Sequence, residues 1–145
     1  MKIFLTGGTG FIGSHLLRLL GTTDHKVTAL RRVSSQPCID IGSEPLWLVK
    51  EMDRLEPIDF AGMDTLVHLA SVGVSPKTST WRDLLYWNVS VMADLLRRHT
   101  RPGSDGSSLR VHMLNMVFQP TGTTLFPPMR HYCQAPTRHR KRLAL

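Results

Sequence analysis

The sequence has no apolar run long enough to cross a bilayer. Its opening residues, MKIFLTGGTG, carry one lysine and a short apolar run that glycines break at once, unlike a secretion leader. A cytoplasmic chain with no membrane partner is expected. Cysteine is scarce: Cys38 and Cys133 stand far apart without metal-ligand spacing, which fits a reducing compartment and gives no disulfide framework. His131, Cys133 and His139 fit no standard zinc module, so no metal is expected.

Acidic residues are nearly missing from the last third. Residues 97–145 hold nine of the 18 lysines and arginines against Asp105 alone, whereas residues 1–96 hold the other nine against ten acidic residues. The net charge of +7 therefore belongs to the tail. That tail also lacks a helical or alternating apolar pattern. Its cluster Arg138, Arg140, Lys141 and Arg142 has no interleaved aromatics for stacking, which argues against a nucleic-acid partner and for a solvated extension. Two regions are expected: a patterned domain over 1–100 and a basic, poorly patterned tail over 101–145.

The patterned part begins with a β-rich run, Lys2 to Thr6, that leads into Gly7-Gly8-Thr9-Gly10-Phe11-Ile12-Gly13 and then the amphipathic SHLLRLL. Strand, glycine turn and helix in this order suit a dinucleotide. Gly7 permits the tight turn, Gly10 lets the backbone approach a pyrophosphate, and Gly13 lets the helix pack closely on the strand. The helix N-terminus then offers N–H groups and a positive dipole end to the phosphates. Phe11, Ile12, Leu16, Leu17 and Leu20 share a helical stripe and are expected in the core. The cluster Gly21-Thr22-Thr23-Asp24 ends the helix.

His25 to Leu30 reads as a second strand whose far end meets the adenosine ribose. Arg31 and Arg32 stand there. An acidic residue would accept the hydroxyls of NAD, whereas a guanidinium clamps a 2′-phosphate, so the pair favours NADP over NAD. Residues 33–60 suit a short strand and a variable crossover without assignable chemistry. TLVHLA, Thr65 to Ala70, reads as a parallel strand buried on both faces, with His68 as a hydrogen-bonded core residue. Thr80 and Asp83 form a capping box that opens a long amphipathic helix, TWRDLLYWNVSVMADLLRR. Asn88 inside it has no helical propensity advantage and is expected to hold a specific partner. The expected fold is α/β, a Rossmann-type doubly wound parallel sheet, truncated at about four strands with an exposed edge and an irregular C-terminal tail.

TGGTGFIGSHL, VHLA and WNVSVMADLL together resemble the extended short-chain dehydrogenase/reductase family, with its NAD(P)-dependent nucleotide-sugar epimerases, dehydratases and reductases. The resemblance covers residues 1 to about 98. HLASVGVSPKTSTWRDLLYWNV is most similar to a branch acting on deoxysugar nucleotides. The resemblance implies that Gly7, Gly10 and Gly13 contact the cofactor pyrophosphate, with Phe11 and Ile12 at the helix start. It implies that Leu69, Ala70 and Ser71 line the cofactor, and that Asn88 matches a structural asparagine. Such enzymes need a Tyr-x-x-x-Lys pair. Neither Tyr86 nor Tyr132 has a lysine four positions later, so no catalytic residue is assigned and the chain is expected to be catalytically incomplete. A non-catalytic NADP-binding sensor or interaction module is the alternative.

The genetic code offers an account of the tail. When the last base of each codon is joined to the first two of the next, Met116-Val117 must read glycine, and His131-Tyr132-Cys133 must read two leucines. The same frame permits Tyr-x-x-x-Lys, with the tyrosine across codons 136 and 137 and the lysine across codons 140 and 141. Sequencing the coding DNA from codon 80 past the stop is expected to show that pair in one continuous alternative frame; a stop codon inside that frame would leave the tail as a genuine feature.

Overall fold

The computed structural model describes residues 1–73, 79–99 and 110–113. Five short strands form one wholly parallel sheet: β1 (Lys2–Thr6), β2 (Lys26–Arg31), β3 (Leu46–Val49), β4 (Thr65–His68) and β5 (Arg110–Met113), in the order β3-β2-β1-β4-β5. The central strand is buried at every position after Lys2, as expected of a parallel strand covered on both faces. Register places Phe4 between Thr28 and Leu66, and Thr6 beside His68.

Alternation along the strands divides the core into two layers. On one face Phe4, Leu30 and Leu66 pack with Leu55, Phe60, Met92 and Leu95, and the rings of Phe4 and Phe60 lie 4.4 Å apart. Leu55 directly follows a short 3₁₀ turn, Met52–Arg54, Phe60 ends another, Pro57–Phe60, and Met92 and Leu95 come from the helix that precedes β5. Leu5 and Ala29 face the other way, against Leu17 of helix α1 (Phe11–Leu20) and against Ile41.

The stripe expected on α1 holds in its middle and fails at its start. Leu17 is buried and Leu16 packs beside it, but Ile12 is exposed and Phe11 instead stacks on His15, with ring centroids 4.5 Å apart. The first turn projects beyond the strand ends, where there is no sheet to cover it. Gly21 ends α1 in a right-handed conformation, and the hydroxyls of Thr22 and Thr23 donate to the carbonyls of Leu19 and Leu20. The last carbonyls of the helix are thus satisfied by side chains.

The long helix opens on the expected capping box, with Asp83 N–H donating to Thr80 Oγ1 and Thr80 Oγ1 donating to Asp83 Oδ2. It runs as α2 (Trp81–Leu85), a wider π turn over Tyr86–Ser90, and α3 (Val91–His99). The sheet also departs from the expected four strands. β5 lies beyond the boundary expected at residue 100 and pairs with β4 through Leu66↔Val111 and Val67↔His112. Its signal is short: Val111, which joins the Phe4 layer, and Met113 alternate with Arg110 and His112 over only four residues. The remaining tail residues, including Tyr132, His131, Cys133, His139 and the cluster Arg138, Arg140, Lys141 and Arg142, lie outside the described residues.

Leu66 is fully buried at the centre of the Phe4 layer. Leu66→Ala is expected to lower unfolding stability by about 2–5 kcal/mol, measured by urea titration, against little change for exposed Leu19→Ala.

Candidate functional site

All five strands point their C-terminal ends at the same edge. The sheet order reverses beside β1, because the chain leaves β1 for β2 on one side and returns to β4 on the other. Such a reversal opens a crevice outside the carboxyl ends of the strands, the usual binding position of open parallel sheets. Gly7 follows β1 at that point with φ of +76°, a conformation that side chains rarely adopt. A Cβ on Gly7 would lie 2.6 Å from both the carbonyl carbon of Leu69 and the nitrogen of Ala70. The turn after β1 and the loop after β4 therefore touch backbone to backbone.

Gly13 closes the turn from the helix side, since a Cβ there would collide with the carbonyl oxygen of Gly7. Gly10 differs. It is exposed, and its added Cβ would meet only the Gly7 oxygen, at 3.3 Å. Its N–H donates to that oxygen at 3.0 Å, and its carbonyl receives Ser14 N–H at 2.8 Å, so it is the N-cap of α1. No side chain caps this terminus and no acidic residue occupies its first turn. The helix thus presents its positive end to the crevice, an arrangement suited to phosphate.

Three polar contacts hold the surroundings. Ser14, fully buried, donates to Gly8 O at 3.1 Å and accepts Cys38 N–H at 3.1 Å, tying the glycine turn to the segment after β2. Thr6 Oγ1 and His68 Nδ1 share a hydrogen bond of 2.7 Å across β1 and β4. Burial holds the His68 imidazole below the ordinary histidine value, so it is the satisfied core histidine expected. Asn88 provides the third. Its Oδ1 accepts from Val72 N–H at 2.9 Å and from Ser71 Oγ at 3.3 Å, and its Nδ2 donates to Val72 O at 2.9 Å. The π turn over Tyr86–Ser90 carries Asn88 at its centre, and such turns recur at functional positions.

The expected site residues therefore fall into groups. Gly7, Gly10 and Gly13 converge with Leu69, Ala70 and Ser71 at the crevice, and Phe11 and Ile12 stand at the helix start beside them. Asn88 reaches the loop after β4 from below and fixes it. Arg31 and Arg32 lie at the end of β2, one within the strand and one beyond it. Arg31 is held over the Trp47 ring, 5.2 Å from its centroid, while Arg32 is exposed. Sequence reasoning passed over Thr6, Ser14 and Trp47. Ser14 had one available signal, a small hydroxyl residue directly after a packing glycine in the first helical turn.

The model of the NAD dependent epimerase/dehydratase family matches residues 3–114. Protein Rcp of Vibrio cholerae serotype O1 is 38% identical over 72 residues, 48% of this chain and 33% of its own. Among solved structures, the NAD dependent NDP-hexosamine 5,6-dehydratase TunA of tunicamycin biosynthesis superposes with a TM-score of 0.61 at 33% identity. That match covers 76% of this chain and 36% of TunA. MoeE5 in complex with UDP-glucuronic acid and NAD gives a TM-score of 0.55 at 30% identity, covering 68% of this chain and 32% of MoeE5. The chain thus spans about a third of the length of each of these relatives. No helix among the described residues is long and apolar enough to cross a membrane.

Two outcomes test the geometry. Gly13→Ala is expected to destabilise the fold by about 1–3 kcal/mol in thermal or urea unfolding, because its methyl meets backbone that cannot give way. The second concerns pH. Because His68 binds protons less readily folded than unfolded, stability is fully present above the unfolded value of 6.5 and falls as pH drops toward the lowered folded value. Unfolding between about pH 7.5 and about pH 5 should show that slope, and His68→Asn should flatten it. An unchanged slope would remove His68 from the account.

Proposed function

This chain belongs to the NAD dependent epimerase/dehydratase family, and on that premise we propose that its described residues form the cofactor-binding half of an enzyme acting on sugars carried by nucleotides. The pyrophosphate of an NAD(P) cofactor lies across the glycine turn, on the N-terminus of α1. The observation that carries this reading is the glycine cradle: Gly7 and Gly13 are required by backbone contact, while Gly10, exposed and approached only by the Gly7 oxygen, leaves open the side a ligand must approach. Leu69, Ala70 and Ser71 form the neighbouring wall, steadied by Asn88. When bound, the nicotinamide would supply hydride acceptance and return.

Cofactor preference follows from the end of β2. No aspartate or glutamate occurs between His25 and Ile39, so that segment offers no carboxylate for ribose hydroxyls, whereas Arg31 and Arg32 offer positive charge. NADP is the preferred cofactor in this reading, although MoeE5 holds NAD. The nucleotide-sugar substrate is inferred from the relatives, since TunA is described as an NDP-hexosamine dehydratase and MoeE5 holds UDP-glucuronic acid. A cytoplasmic location accords with a cysteine content that needs no pairing.

Turnover is a separate matter. The family's Tyr-x-x-x-Lys pair is missing from these 145 residues, and in the reading offered here the part of the tail beyond the family match, from residue 115 on, is an out-of-frame translation of the part that carried it. The absent pair also favours a second reading, a non-catalytic NADP-binding module that senses cofactor or engages another protein.

Titration calorimetry with NADP and NAD decides the shared premise. Saturable one-to-one binding is expected, and Gly10→Ala should weaken it at least roughly tenfold while leaving the melting temperature nearly unchanged. Silence toward both dinucleotides in a cooperatively folded chain would refute cofactor binding. Binding without any reduction or oxidation of added nucleotide sugars would favour the module.

A further inference from the structure

The sheet has a second concave edge. Opposite the crevice, where β1, β2 and β3 begin, a cleft of about 550 Å³ opens, a volume that suits a small molecule. No residue of the site described above lines it. The end of α1 forms one wall, meeting the segment before β3 so closely that a Cβ on Gly21 would lie 3.0 Å from that of Ser43. The loop before β4 forms another. Gly62 turns there with φ of +70°, and a Cβ on it would lie 3.7 Å from Lys2 Nζ, which places that ammonium against the loop.

Two cations share the cleft. The parallel register pairs Lys2 with Lys26, which sets the two residues about 4.8 Å apart and sends both side chains to the face that Phe4 occupies. Like charges in direct register disfavour a sheet. Among the described residues no hydrogen bond or ion pair engages either ammonium to offset this. Glu44, the one carboxylate that lines the cleft, accepts the indole N–H of Trp47, and Asp64 accepts the backbone N–H of Lys2. The last carbonyls of α1, which would repel an anion, are taken up by Gly21 N–H and by the hydroxyls of Thr22 and Thr23.

An apolar surface adjoins the charges. Leu46 opens β3 at the edge of the sheet, pairs with Thr28 on the face of the two lysines, and is 72% exposed. Pro45 and Met63 line the same cleft. We infer that the cleft is a second ligand site, for a phosphomonoester whose dianion lies between Lys2 and Lys26 and whose apolar body covers Leu46, Pro45 and Met63. Lysine ammoniums are point charges without the planar fork of arginine, so they select charge more than shape. One dianion satisfies both at once, and a carboxylate only one. The site lies at the opposite edge from the glycine turn and stands independently of the NAD(P) reading.

The test titrates the whole chain with phenyl phosphate, inorganic phosphate and benzoate, by calorimetry and by nuclear magnetic resonance of backbone amides. Phenyl phosphate is expected to bind one-to-one, roughly tenfold tighter than either other probe and more weakly as salt rises. It should shift the amides of Lys2, Lys26 and Ser43 and leave Gly8 and Gly10 in place, whereas NADP should do the reverse, so failure of one reading is visible apart from the other. Lys26→Met should raise the melting temperature of the free chain by removing a like charge, and weaken phenyl phosphate at least roughly tenfold. Lys2→Met should do the same. Leu46→Ser should weaken phenyl phosphate several-fold and leave inorganic phosphate unchanged. Shifts confined to the glycine turn, unchanged affinity in both lysine variants, or no binding of any probe would overturn the inference. A response to polyglutamate without one to phenyl phosphate would overturn it too, making the cleft a surface for an acidic protein.

Discussion

The close approach of Gly7 to Leu69 and Ala70 is the constraint on which the rest depends. A parallel sheet sets its strands about 4.8 Å apart, and the loops that leave adjacent strands at the same edge must diverge or touch. Here they touch. Gly7 turns through a positive φ with its missing side chain against the backbone of Leu69 and Ala70, so the two walls of the crevice are fixed to each other. Gly13 repeats the device one helical turn later and seats α1 on the same turn. Nothing bulkier than hydrogen fits at either position, and Gly10 is left as the one glycine of the three that is exposed.

Polar contacts then carry that constraint outward. Thr6 and His68 join the last residues of β1 and β4 directly beneath the contact, and burial there disfavours the charged imidazole. Ser14 links the glycine turn to Cys38 beyond β2. Asn88 holds Val72 by both its donor and its acceptor, which is as much as a peptide group can take from one amide. The π turn accounts for its reach. A regular helix keeps each side chain on a fixed spiral, and one widened turn shifts Asn88 relative to Leu84, whose side chain closes against Gly73.

Much of this was legible in the sequence, and what was missed has physical reasons. The glycine turn, β4, the capping box at Thr80 and the partnered Asn88 could be read because each is a local pattern whose meaning does not depend on distant residues. Ile12 was misplaced because helical periodicity says which residues share a face but not where the sheet beneath that face ends. β5 was missed because four residues that alternate Val111 and Met113 with Arg110 and His112 are too short a pattern to stand out from a basic stretch. The unequal surroundings of Arg31 and Arg32 were invisible for a third reason. Trp47 lies sixteen residues away, and only strand pairing brings it under one guanidinium and not the other.

The parts present also divide binding from chemistry. Dinucleotide-binding sheets are built from two similar halves, and each half holds one nucleotide. In this chain β1, α1, β2 and β3 make up the first half, shaped by contacts within residues 1–50 and by the approach of Gly7 to Leu69 and Ala70. β4, α3 and β5 begin the second half, where Val67 is only partly covered and His112 is exposed on the face that α1 covers elsewhere. On the reading proposed above, affinity for the adenosine end of a dinucleotide depends on that first half.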